Sequence, residues 1–260
     1  MTLARQRAGN RTRKHYRCAQ QISRASNQAF LRTGRVSPVY NLIVHAFVLA
    51  LALFAGQAES ERPSFSEWLK AVRQEALSRG IRQEVVDEAL GNLDEPLPII
   101  IERDRAQAEV VLPLENYIAR LLTAKRIRHG REVYTEQHDL LDRVSNQYGV
   151  PARIITAIWG IESNFGQFSG VRPTIGALAT LAWDPRRSSF FRGELLDALE
   201  ILNRGDIGLE SMKGSWAGAM GQVQFMPSSY LKFAEDFDGD GRRDIWSTTG
   251  DVLASIANYL

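Results

Sequence analysis

One carboxyl in this 260-residue chain stands where an acid could keep its proton. The run Pro151-Ala-Arg-Ile-Ile-Thr-Ala-Ile-Trp-Gly-Ile-Glu162-Ser-Asn-Phe-Gly166 reads as a helix that is apolar on nearly all sides and therefore buried, and its only acid is Glu162. Counting back three, four and seven residues gives Trp159, Ile158 and Ile155, so the carboxyl shares its helix face with large apolar side chains rather than with cations. Desolvation raises the pKa of such a group, and a carboxyl still protonated near neutral pH is what a general acid requires. Periodicity alone leaves open a plainer reading, a Glu at a helix end that emerges into water.

A second cluster is Asp236-Phe-Asp238-Gly-Asp240-Gly241. Three acids at alternate positions followed by a glycine reproduce the first half of an EF-hand loop, and Arg242 would add its backbone carbonyl. The closing bidentate Glu is missing, because Ser247 occupies that place. A metal-free acidic turn therefore stays open. His15, His45, His129 and His138 have no zinc-type spacing, and the single cysteine, Cys18, excludes a disulfide framework or a multi-cysteine zinc cluster.

The elements that must hold these groups are helical. Phe65, Trp68, Leu69, Val72, Ala76 and Leu77 follow a 3.6-residue period that Gly80 ends. Leu140, Leu141, Val144 and Tyr148 form a second stripe, stopped by Gly149, and Pro151 suits the first turn of the helix that carries Glu162. Phe190, Phe191, Leu195, Leu196, Leu199 and Leu202 mark a third. No long stretch alternates as a half-buried strand does, and no internal repeat is visible. Leu253, Ile256, Ala257 and Leu260 belong to a helix with no stop signal before the sequence ends, which reads as a chain cut short with part of an apolar face uncovered.

The net charge of +2 hides an asymmetry: residues 1–58 hold nine basic side chains and no acid, while the remainder holds 23 basic and 30 acidic residues, a net of −7. Such a body is not a nucleic-acid binder. The apolar run from Ala46 to Gly56 is too short to span a bilayer as a helix, follows a basic stretch and ends in Gly56-Gln57-Ala58. It reads as a signal peptide cleaved after Ala58, with a retained membrane anchor as the other possibility. Leu53-Phe54-Ala55-Gly56 is like a lipoprotein box, but Gln57 stands where the lipid-bearing cysteine belongs, so lipidation is not expected.

Glu162-Ser-Asn-Phe-Gly166, the segment from Gly214 to Tyr230, and Asp236 to Gly241 occur in this order, with Ala177-Leu-Ala-Thr-Leu181, Asp184-Pro-Arg-Arg187 and Ala257-Asn-Tyr259 among them. Together they closely resemble the membrane-bound lytic murein transglycosylase B family over roughly residues 60 to 260, and several long motifs in order are more specific than one short pattern. The resemblance implies a mainly α, lysozyme-like α+β fold. Behind the leader and signal peptide read over 1–58, it divides the chain into an N-terminal helical region over 59–147 and a catalytic core over 148–260 that stops short of the family's cleft-closing Tyr-Asn-x-Ser segment.

It further implies a periplasmic enzyme, expected to be a monomer, that cleaves the β-1,4 bond between N-acetylmuramic acid and N-acetylglucosamine to leave 1,6-anhydromuramoyl ends, with Glu162 as both acid and base. Its partners would be peptidoglycan strands and cell-wall enzyme complexes. The site residues implied are Ser215, Gln224 and Phe225, with Met226, Tyr230 and Tyr259 close by, although plain core packing also accounts for Phe225, Met226 and Tyr230. Arg186 and Arg187 could meet muramoyl or peptide carboxylates, though adjacent arginines are more often simply solvated. In this family a later acid closes a lengthened calcium loop, a role Asp251 fits beside Asp236, Asp238, Asp240 and Arg242, and the ion would be structural. A catalytically impaired peptidoglycan-binding module and a calcium-dependent interaction protein are the competing functions.

Overall fold

The computed structural model describes residues 63–107 and 112–260, so the leader, the cleavage site after Ala58 and Cys18 lie outside the described residues. The first predicted helix is α1 (Phe65–Ser78). It begins in a capping box: the Glu67 N–H donates to Ser64 Oγ at 3.2 Å and the Ser64 N–H donates to the Glu67 carboxylate at 3.0 Å. Two amide donors that would otherwise lack partners are thereby satisfied. α1 buries Phe65, Leu69, Val72 and Ala76, and the chain leaves it through Gly80 in the left-handed region, φ +85°. α2 (Gln83–Leu90) folds back on it.

Next come α3 (Pro98–Gln107), α4 (Leu114–Leu121), α5 (Ala124–Glu136) and α6 (His138–Tyr148), which ends at a left-handed Gly149 as expected. α7 (Ala152–Ser163) carries Glu162, with Pro151 at its N-cap rather than inside its first turn. α8 (Thr174–Trp183) is buried from Thr174 to Ala182 and forms a hairpin with α9 (Ser188–Arg204), whose stripe Leu195, Leu196, Leu199 and Leu202 is buried while Phe190 is exposed. Burying a Leu side chain contributes about 1.5–3 kcal/mol relative to exposure, so this hairpin supplies a substantial part of the core. β1 (Arg172–Pro173) and β2 (Lys213–Gly214) pair antiparallel, Arg172 opposite Gly214, a ribbon that strand alternation could not reveal in two residues. α10 (Pro227–Phe233) and α11 (Thr249–Tyr259) complete the described order.

Two expectations are corrected here. α7 is not buried all round: Ile155, Thr156, Trp159 and Gly160 are buried against α5, α6 and α11, but Ile154, Ala157 and Ile161 face solvent, because those three helices cover only one side. Conversely, the apolar face of α11 is covered, since Val252, Leu253, Ala254, Ile256 and Ala257 are buried against α6, α7 and α10, and exposure rises only at Tyr259 and Leu260.

Candidate active site

The C-terminal end of α7 is shaped by an unusual turn. Asn164 (φ 51°) and Phe165 (φ 60°) are both left-handed, which for a bulky residue such as Phe is a true outlier and costs of order 1–2 kcal/mol. The Phe165 ring offsets that cost by filling a slot between α5 and α7. A Cβ at Gly160 would come within 2.5 Å of its Cζ and one at Gly130 within 3.0 Å, so only glycines leave room. The ring meets Trp159 and His129 edge-on, at centroid distances of 5.8 and 5.0 Å. The Gly166 N–H donates to Ser163 Oγ at 3.0 Å and completes the turn.

Glu162 stands one residue before this turn, beside a groove of about 350 Å³. Ile158 lies next to it on α7, Val223 to Met226 form the opposite wall, and Ile256 and Tyr259 of α11 close one end. The Glu162 side chain reaches solvent, yet it has no hydrogen-bond or ion-pair partner among the described residues, and the apolar wall beside it pushes its pKa above the usual carboxylate value through desolvation alone. Gln224 is the third left-handed non-glycine among the described residues, φ 52°. Its Nε2 donates to the Gly221 carbonyl at 2.8 Å and to the Ser169 carbonyl at 3.2 Å, which leaves its Oε1 available as an acceptor. The Phe225 ring is almost buried and lies 5.4 Å from the exposed Tyr259 ring, which also abuts Phe233.

The other expected site residues sit elsewhere. Ser215 shapes the 215–219 turn, its Oγ accepting from the Ala219 and Ala217 N–H groups at 3.1 and 3.3 Å. Tyr230 is fully buried, and its hydroxyl donates to the Arg243 carbonyl at 2.9 Å. Arg186 is paired with Asp104 at 2.6 Å and Asp184 at 2.9 Å, with Arg187 3.8 Å from the same Asp104, so the two arginines fasten α3 to the turn between α8 and α9. Sequence reasoning had passed over Val223, Ser229 and Ile256, which line the groove, and Gln222, whose Oε1 accepts from the Trp159 indole at 2.9 Å while its Nε2 donates to the Trp246 carbonyl at 2.8 Å. Val223, Gln222 and Ser229 fall inside the motif already singled out, and Ile256 lies on the stripe already noted.

In the acidic loop, carboxylate oxygens of Asp236, Asp238 and Asp251 converge within 4.8 Å of one another. Asp251 is 1% exposed, and its two oxygens accept from the Phe237 and Asp244 N–H groups, each at 2.8 Å. Burial pushes its pKa up, those two N–H donors pull it down, and the charges of Asp238 and Asp236 push it up again. Asp240 instead accepts from the Arg242 N–H at 2.8 Å. Asp244, which was not anticipated, accepts from the N–H groups of Trp246 and Ser247 and from the Ser247 hydroxyl, and has a lowered pKa.

A mostly helical frame with one unpaired acid over a groove is of the lysozyme-like class. Residues 64–260 match the transglycosylase SLT domain family, and the chain belongs to it. SltB3 from Pseudomonas aeruginosa, solved in complexes with NAG-anhNAM-pentapeptide and NAG-NAM-pentapeptide, is 45% identical with TM-scores of 0.72 and 0.73, covering 75% of this chain and 52% of that one. Membrane-bound lytic murein transglycosylase B of Escherichia coli is 40% identical over 144 residues, 55% of this chain and 40% of that protein. Slt35 of Escherichia coli, solved in complex with calcium, is 33% identical with a TM-score of 0.65, covering 74% and 61% of the two chains. The chain thus spans about half the length of the relatives it matches.

Proposed function

We propose that the protein is an exported lytic transglycosylase that cleaves the bond between N-acetylmuramic acid and N-acetylglucosamine in peptidoglycan. The observation that carries this reading is Glu162: a solitary acid with a raised pKa, facing a groove walled by Gln224, Phe225, Met226 and Tyr259. Protonated Glu162 donates to the glycosidic oxygen as its bond to C1 breaks. The resulting carboxylate takes the proton of the C6 hydroxyl while that oxygen bonds to C1, so the acid is regenerated and no water is consumed. A scheme of this kind needs no second carboxylate as nucleophile, unlike the usual two-acid glycosidase arrangement. Aromatic faces for sugar rings and an amide acceptor for hydroxyls suit such a ligand. We assign direct glycan contact to Gln224, Phe225, Met226 and Tyr259, and a supporting role to Ser215, Tyr230, Arg186 and Arg187.

The acidic loop fits a calcium ion, since three carboxylates converge and hard cations take oxygen ligands only. Asp236, Asp238 and Asp251 would hold it, aided by Asp240 and the Arg242 carbonyl, and it would neutralise mutual repulsion within the loop. Residues 1–58 act as a basic leader and signal peptide, delivering the 59–147 and 148–260 regions to the periplasm without lipidation, where glycan strands and cell-wall enzyme complexes are the partners. Among the described residues no helix is long and apolar enough to cross a membrane.

Digestion of purified murein sacculi followed by mass spectrometry tests the reading. Anhydromuramoyl ends from the unchanged chain and none from Glu162→Gln are expected. Reducing ends would instead indicate hydrolysis, and bound but uncut glycan a binding module. Calcium at a hundred times its Kd should add about 2.7 kcal/mol to stability.

A further inference from the structure

We propose that the basic groove between α5 and the turn after Glu162 is a carboxylate-binding subsite for the stem peptide of a peptidoglycan strand, an inference that rests on the function proposed above and extends it from glycan to peptide. The groove encloses about 460 Å³. Lys125, Arg126, Arg128 and His129 line it from α5, with Glu132 as its only acid, in a body that is net negative after residue 58. Asn164, Gln167 and the widely exposed Phe168 line it from the turn.

The walls are tied together by side chains. Arg126 donates through Nε to Asn164 Oδ1 at 3.2 Å and through Nη1 to the Leu121 carbonyl at 3.0 Å, which fixes its guanidinium at the base of α5. The Asn164 amide donates to Gln167 Oε1 at 2.7 Å, and Gln167 Nε2 lies 3.1 Å from His129 Nε2. Glu132 is placed 3.6 Å from His129. Among the described residues Lys125 and Arg128 form no ion pair and no side-chain hydrogen bond, so two cations remain for a ligand. Unpaired cations beside fixed amide donors match an acidic peptide, and charge-assisted bonds to carboxylates are the stronger kind.

Continuity with the cleavage site supports the assignment. The 164–169 turn follows α7 directly, and at its far end the Ser169 carbonyl accepts from Gln224, which lines the groove of Glu162. One short turn therefore borders both grooves. A muramoyl residue beside Glu162 would carry its lactyl-linked peptide, with free carboxylates, toward the basic side of that turn.

The test separates this subsite from the cleavage reaction. Binding of NAG-NAM-pentapeptide and of peptide-free NAG-NAM is measured by calorimetry on the full chain carrying Glu162→Gln, with Lys125→Ser/Arg128→Ser and the charge-keeping Lys125→Arg/Arg128→Lys added. The peptide is expected to raise affinity about fivefold to twentyfold, the serine pair to abolish that gain, and the charge-keeping pair to retain most of it. Equal affinity for the two ligands, or a gain indifferent to the serine pair, would overturn the subsite. If the gain behaves as expected but the unchanged chain leaves sacculi uncut, the subsite stands and the proposed activity fails.

Discussion

Replacing Gln222 with Leu should damage the protein through a contact that touches no sugar. It removes the bond from the Trp159 indole at 2.9 Å and the bond to the Trp246 carbonyl at 2.8 Å, leaving a buried indole N–H stranded. A typical hydrogen bond contributes about 1 kcal/mol net and a stranded buried group costs about 1–3 kcal/mol, so the half-buried Gln222 is worth about 2–4 kcal/mol in total. Trp159→Phe removes the same donor together with some packing volume, at about 1–3 kcal/mol. In the double variant the shared bond is lost once only, so the cycle should show a coupling of about 1–2 kcal/mol. Urea unfolding followed by far-ultraviolet circular dichroism supplies all four corners. Additivity to within about 0.5 kcal/mol would refute the contact. Because Trp159 lies one turn before Glu162, the same substitution should lower kcat more than it changes KM.

Three further outcomes are expected. The folded state favours protonated Glu162, so its contribution to stability is present below the unfolded pKa and lost as pH rises through the raised folded value; thermal midpoints should show Glu162→Gln gaining on the unchanged chain across that rise, and a gain confined to acid pH would contradict the sign. Tyr230→Phe removes one of the two bonds to the Arg243 carbonyl, which the Ile245 N–H still reaches at 3.0 Å, and should cost about 1 kcal/mol in chemical denaturation, so a neutral result would remove that bond from the account. Gly160→Ala sets a methyl group against the Phe165 ring and should cost about 1–3 kcal/mol, recovered in part by Phe165→Leu; no recovery would mean that the ring is not what the methyl strikes.

Long helices and the solitary acid were legible in the sequence because both depend on local periodicity: the stripes from Phe65 and Leu195 appear where expected, and Glu162, Gln224, Phe225, Met226 and Tyr259 meet at one groove. What was hidden depends on tertiary placement. Only four positions apart, Met226 lines the groove whereas Tyr230 is swallowed by the core, a choice set by the start of α10 rather than by residue type. Arg186 looked free, but its partner Asp104 comes from a helix 82 positions earlier. The solvent-facing side of α7 was unreadable because an apolar stripe says what could be covered, not whether a neighbour arrives to cover it.

The acidic loop has one property that separates its shape from its cargo. Asp251 grips both arms of the loop through amide hydrogens of Phe237 and Asp244, while Asp236 gathers those of Gly239 and Gly241. Four backbone clasps of this kind owe nothing to a cation. With calcium held there as proposed, a chelator should soften this strap without undoing it, and the protein should refill quickly once the ion returns.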